Sequence, residues 1–190
     1  MHTKFFLILF SVVSFAQAQS SLFDDTYLHE IRVTSTETNL WDLMSTDYED
    51  NYPDVPYREV TVEIDGTILE NVGIRQKGFS SHFFSTTNKK SIKINFGKFV
   101  SDQRYDKVKK INLTNGVGDP AIVKDKIAYD MFRQHGVPAP RVSHVKIYIQ
   151  EVYWGIYAII EQVDKRYLKR NYADKTGNLW KNMGNLHYIG

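Results

Sequence analysis

The sequence predicts an α+β fold in which an antiparallel sheet packs with one main helix. Three observations carry this prediction. Val60, Val62 and Ile64 alternate with polar residues, as in a half-buried strand. The segment from Asp119 to Gly136 has helical spacing and stop signals at both ends. Strands and helices do not alternate strictly, which argues against a parallel βαβ sheet. A hydrophobic content of 42% and a charged content of 24% are ordinary for a folded chain.

The first element is a leader. Lys4 precedes an apolar run from Phe5 to Phe15, and Ala16-Gln17-Ala18 supplies a small-x-small cleavage pattern. The run is far shorter than the roughly 20 residues a helix needs to cross a bilayer. Residues 1–18 are therefore expected to be a signal peptide, with the mature protein periplasmic, cell-surface or extracellular and without a transmembrane segment. The chain has no cysteine, so it carries no lipoprotein anchor, disulfide or thiolate zinc site. A formal net charge of +2, with both signs interspersed, gives no support for nucleic acid as a partner.

Residues 19–58 form an N-terminal extension. It holds a strand over Leu28–Val33 and a short helix capped by Thr38 or Asn39, with Leu40, Leu43 and Met44 on one face. An acidic, proline-punctuated loop follows through Asp54 and Pro56. Asp47, Glu49 and Asn51 imitate the start of a calcium loop, but Tyr52 and Arg58 stand where glycine and glutamate are required. A solvated acidic loop is expected.

The main lobe is placed at residues 59–163. Asp65-Gly66 turns a hairpin. After it come the loop GFSSHFFSTTN, the alternating strand KKSIKINF and the strand VKKINLTN. In the main helix Asp119 is the expected N-cap and Pro120 the first helical residue. Val123, Ile127 and Met131, with Ala128 and Phe132, give it an apolar face for the sheet. Gly136 ends it, and Val137-Pro138-Ala139-Pro140 prevents continuation. HVKIYIQ and EVYWGIYAII read as a hairpin, the second strand apolar enough to be buried on both faces. Charge then appears abruptly at Glu161, Asp164, Lys165 and Arg166, and Asp164 is expected to cap a further helix. Residues 164–190 are assigned to that helix and the start of another lobe.

Common catalytic signatures are missing: no G-x-S-x-G, P-loop, H-E-x-x-H or G-x-G-x-x-G occurs. Six segments nevertheless recur in order: Arg75–Ser81, Lys89–Ile94, Lys124–Arg133, Gly136–Arg141, Tyr153–Tyr157 and Glu161–Arg170. Together they resemble the CotH family, spore-coat-type kinases with an atypical protein-kinase fold. The resemblance covers most of the chain after about Val60.

The resemblance implies a kinase-like N-terminal lobe that binds ATP with Mg²⁺ or Mn²⁺ and phosphorylates a surface or coat protein. Phosphoryl transfer needs a lid over the phosphates, a neutralising lysine and an acid that holds the lysine. By resemblance the lid is Gly78-Phe79-Ser80-Ser81, with Arg75 and Lys77 adding charge; Phe79 departs from the family's asparagine. Lys90 and Lys93 compete for the phosphate-side lysine. Alternation puts Lys90 on the face of Ile92 and Ile94 and Lys93 on the other, and the resemblance favours Lys93. Asp125 is the implied helix acid. Backbone groups from Glu161 to Val163 are the implied contacts to the base at a hinge. The catalytic and metal-holding acids would lie in a second lobe, for which the residues after Val163 are too few. The expected product is thus a truncated, inactive form of such a kinase; a non-catalytic surface or coat assembly module is the alternative.

Overall fold

Asp65 and Gly66 both have positive φ, 48° and 84°, the geometry of a two-residue turn that matches strand twist. They join β2 (Arg58–Ile64) to β3 (Thr67–Gln76), as the sequence predicts. The structure, a computed structural model, describes residues 21–174, 176–177 and 179. The leader and most of the segment after Asp174 lie outside the described residues.

The remaining strands are β1 (His29–Thr34), β4 (Ile92–Asn95), β5 (Lys110–Thr114), β6 (Val142–Ile149) and β7 (Val152–Glu161). They close into one barrel in the order β1-β2-β3-β4-β5-β7-β6. Every neighbouring pair is antiparallel except the closing one. There β1 runs parallel to β6, with Ile31 opposite Ile147. Each strand pairs with two neighbours, although β3 and β7 extend beyond the short strands β4 and β5 that flank them. The core lies inside the barrel: Ile31, Val62, Ile74, Ile94, Ile111 and Ile147 are all fully buried.

This corrects the expected architecture. The protein is not a kinase-like lobe with an open sheet against a main helix. Its sheet buries its apolar face against itself, so no helix is needed to cover it. The strand assigned to an N-terminal extension, β1, is an integral stave.

The helices are accessory. α1 (Leu40–Asn51) places Leu40, Met44 and Tyr48 against one barrel end, and Trp41 stacks on Trp154 of β7 with centroids 3.9 Å apart. Its N-cap Asn39 makes no side-chain capping bond. α2 (Ser80–Phe83) is a single turn in the expected loop. α3 is Lys124–Gln134, shorter than the Asp119–Gly136 helix expected. Ile122 has φ of 57°, which breaks the helix before Val123. Asp119 still accepts the Lys124 N–H at 2.8 Å, so it caps from outside the helix.

The orientation of α3 is also reversed from expectation. Val123, Ile127, Met131 and Phe132 are exposed, and no residue of α3 is buried. The half-buried side carries Asp125, Lys126, Tyr129, Asp130 and Arg133. Lys126 pairs with Asp25 at 2.5 Å, and Arg133 reaches the Pro140 carbonyl. Polar contacts therefore fasten this helix, and its apolar stripe faces away. β7 departs too: Val152 and Tyr153 are exposed, so only its second half is buried. Asp164 caps α4 (Lys165–Asn171) as predicted, accepting from the N–H groups of Arg166 and Tyr167.

Candidate functional site

β3 ends with Gln76 turned inward, where its amide donates to Ser45 Oγ at 2.7 Å. Strand alternation then turns Lys77 outward. Its ammonium has no hydrogen bond or ion pair among the described residues. Burial pushes the Lys77 ammonium below the ordinary lysine range and repulsion from Arg75 adds to this, while attraction from Asp125 opposes it. A half-buried lysine without a direct partner is costly to keep, and such groups concentrate at functional sites.

The next residue, Gly78, has φ of 86°, and a Cβ there would meet Ser81 Oγ at 2.4 Å. The positive φ favours glycine at this turn, and a side chain there would also displace the Ser81 hydroxyl. The Gly78 carbonyl accepts from Tyr48 on α1 at 2.7 Å, and Tyr48 stacks on His82 of α2. Burial holds His82 below the usual histidine range, with Lys90 adding repulsion. The loop is therefore pinned from beneath while Ser80 and Phe79 stay exposed.

A second tie comes from Asn115, buried just after β5. Its amide donates to the carbonyls of Lys89, at 2.7 Å, and Ser81, at 3.3 Å, and its oxygen accepts from Ser91. Ser91 in turn bonds the Asn115 N–H, and the Ser91 carbonyl accepts from Lys77 N–H. Asn115 and Ser91 so join the Lys77 turn, β4 and the segment leading to α3. The motif reading missed both. The available signal was the Asn115-Gly116 pair, a turn mark whose side-chain role only the fold reveals.

The structure separates the two lysines that competed. Ile92 and Ile94 point into the barrel, and Lys90 donates to the His82 carbonyl at 2.8 Å. Lys93 stands on the outer surface in one row with Arg75 and Asn112, across β3, β4 and β5. The row continues to Gln162, whose side-chain oxygen accepts from Asn112 at 3.1 Å. Arg75 itself turns from Gly78: its guanidinium donates to the Val55 carbonyl and lies 5.0 Å from the Tyr57 ring.

Glu161 is buried at the far end of β7. Its N–H donates to the Arg141 carbonyl, and its carboxylate is held by Arg141 and Arg170. Of the backbone groups expected to face a base, the Glu161 N–H is thus engaged within the fold. The Val163 carbonyl accepts from Gln162 at 3.3 Å. Among the described residues no three His, Cys, Asp or Glu side chains group as a metal site. No described helix is long and apolar enough to cross a membrane.

The arrangement defines a small barrel domain with a glycine turn anchored beside Lys77, whose ammonium has no partner among the described residues. The sequence model of the CotH kinase protein family matches residues 74–185, more than half of the chain. The chain belongs to that family. No curated protein matches it. β1, β2 and most of β3 precede the matched segment, so the strand that closes the barrel lies outside it.

Proposed function

We propose that this is an exported CotH-type protein whose outer barrel face binds the polyphosphate of ATP, as part of a phosphotransferase acting on surface or coat proteins. The observation that carries the reading is Lys77, an ammonium without a partner among the described residues, beside the Gly78 turn and attracted by Asp125. A polyphosphate offers the charge that this lysine lacks. Lys77 would neutralise it, Asp125 would hold the lysine in place, and Lys93 would add charge from the next strand. ATP supplies the phosphoryl group in such chemistry. The reading does not require a kinase-like lobe.

The test is a thermal shift with ATP and Mn²⁺ on the purified mature chain. A rise in Tm for the wild type, lost in Lys77→Met, supports the reading. No rise, or an equal rise in the variant, overturns it. Amino-terminal sequencing of secreted protein should begin at Gln19 if the leader is cleaved after Ala18.

A second reading, an assembly module, has its own support in the outward apolar stripe of α3. Ile127, Met131 and Phe132 are each about half exposed, which is unusual for adjacent large apolar residues on one helix. Self-association or capture of coat material that Met131→Glu abolishes, without an ATP response, would favour this reading.

A further inference from the structure

Beside the candidate site lies a separate groove of about 400 Å³ on the outer face of β3, lined by Pro53, Asp54, Pro56, Tyr57, Arg75 and Lys98. Two of its lining residues, Tyr57 and Lys98, lie against Gly73 of β3. A Cβ there would meet Lys98 Cβ at 2.7 Å and Tyr57 Cδ1 at 3.0 Å, so the bare glycine lets both side chains lie over the strand. Tyr57 then has two cations near its ring, with Arg75 at 5.0 Å and Lys98 at 5.5 Å from the centroid. Neither cation has a carboxylate partner among the described residues. Arg75 spends one N–H on the Val55 carbonyl, its Nε is buried without an acceptor, and Lys98 is exposed.

We propose that this groove docks an extended acidic peptide segment of a partner protein. An arginine and a lysine on one aromatic support present donors and positive charge to side-chain carboxylates. Pro53, Pro56 and the Tyr57 ring offer an apolar wall of the kind that receives extended peptides. Asp54 is the one carboxylate lining the groove, and it opposes an acidic ligand. The surface is distinct from the Lys77 turn, because the Arg75 guanidinium faces Val55 and Tyr57.

The experiment measures the Kd of a fluorescein-labelled peptide of alternating Glu and Ala against the mature chain, with the Gln counterpart as control. Lys98→Gln should weaken binding about three- to tenfold, a change typical of one charge contact. Gly73→Ala should weaken it by displacing Lys98 and Tyr57. Asp54→Asn should tighten it, and added salt should weaken it throughout. The Tyr57→Phe variant should retain binding, since the ring rather than the hydroxyl supports the cations. Lys77→Met should leave the peptide Kd unchanged, which separates this groove from the ATP reading. The proposal is overturned if the Gln peptide binds equally, if Lys98→Gln and Asp54→Asn have no effect, or if ATP displaces the peptide. Lys98-dependent binding to phosphatidylglycerol vesicles, with none to the peptide, would also overturn it.

Discussion

Arg170 donates from Nη2 to Glu161 Oε2 at 2.5 Å, and Arg141 reaches Glu161 Oε1 at 3.1 Å. The carboxylate is 5% exposed, so it is a buried acid shared by two arginines. It joins the start of β6, the end of β7 and α4 at one barrel end. Removing one partner of a buried ion pair typically costs about 3–5 kcal/mol, because a charge is left uncompensated. Glu161→Gln should therefore cost a similar amount in urea denaturation at pH 7. Arg170→Gln should cost less, since Arg141 remains.

The same carboxylate sets an acid limit. Burial works against its charge, but hydrogen bonds from Arg141 and Arg170 outweigh that and hold it below the usual glutamate range. With the folded pKa depressed, its stabilisation is fully present above the unfolded value of about 4.3 and fades as pH falls toward the folded pKa. The stability difference between wild type and Glu161→Gln should accordingly shrink below about pH 4. A constant difference down to pH 3 would contradict this ion-pair account.

Lys77 shares the sign of this linkage, its folded pKa also being depressed, but here the charged form is the one that folding disfavours. Its folded pKa is depressed chiefly by burial, so the fold must bear a desolvated charge whenever the lysine is protonated. Lys77→Met should raise the melting temperature while removing any response to ATP. The gain should be largest below the folded pKa and narrow as pH rises toward the unfolded value, where the wild-type ammonium is lost on folding. The attraction of Asp125 offsets part of the gain. A variant that is less stable at neutral pH would mean that the lysine serves structure.

Trp41 and Trp154 tie α1 to β7, with their rings 26° from parallel. A double-mutant cycle through Trp41→Leu and Trp154→Leu should give a coupling of about 0.5–1.5 kcal/mol. The near-ultraviolet circular dichroism of the stacked pair should vanish in either single variant.

Local chemistry was legible from the residues, and long-range pairing was not. Asp65-Gly66 announces its hairpin because both positions need positive φ, and Asp164 announces its cap because carboxylates accept from the first-turn N–H groups. Closure of the barrel depends on β1 meeting β6 in parallel, His29 opposite Val145, and no local pattern encodes a pairing so distant in sequence. At the candidate site, Lys77 and Asp125 both appeared in the motifs, but Asp125 was matched to the strand lysine Lys90 or Lys93 and Lys77 only to the lid, whereas Asp125 attracts Lys77. Ser91 stood inside a motif and Asn115 in a turn pair, but their link was not legible, because a buried polar bridge is visible only once three segments converge.

The apolar stripe of α3 misled for a related reason. Spacing at Val123, Ile127 and Met131 shows that one face is apolar, but it does not say what lies opposite. In a chain whose sheet closes on itself, the stripe is left outside, and Lys126, Asp130 and Arg133 make the attachments instead. The two arrangements differ sharply in mutational cost. If Ile127 and Met131 packed against a sheet, a glutamate at either would cost several kcal/mol through burial of an unpaired charge. On an exposed stripe the combined Ile127→Glu and Met131→Glu change should stay within about 0.5 kcal/mol per site and raise solubility. Lys126→Ala, which removes contacts to both Asp25 and Asp130, should loosen the helix more than either glutamate. Urea denaturation and amide exchange across Lys124–Gln134 would read the order directly, and the reverse order would restore α3 as a packed helix.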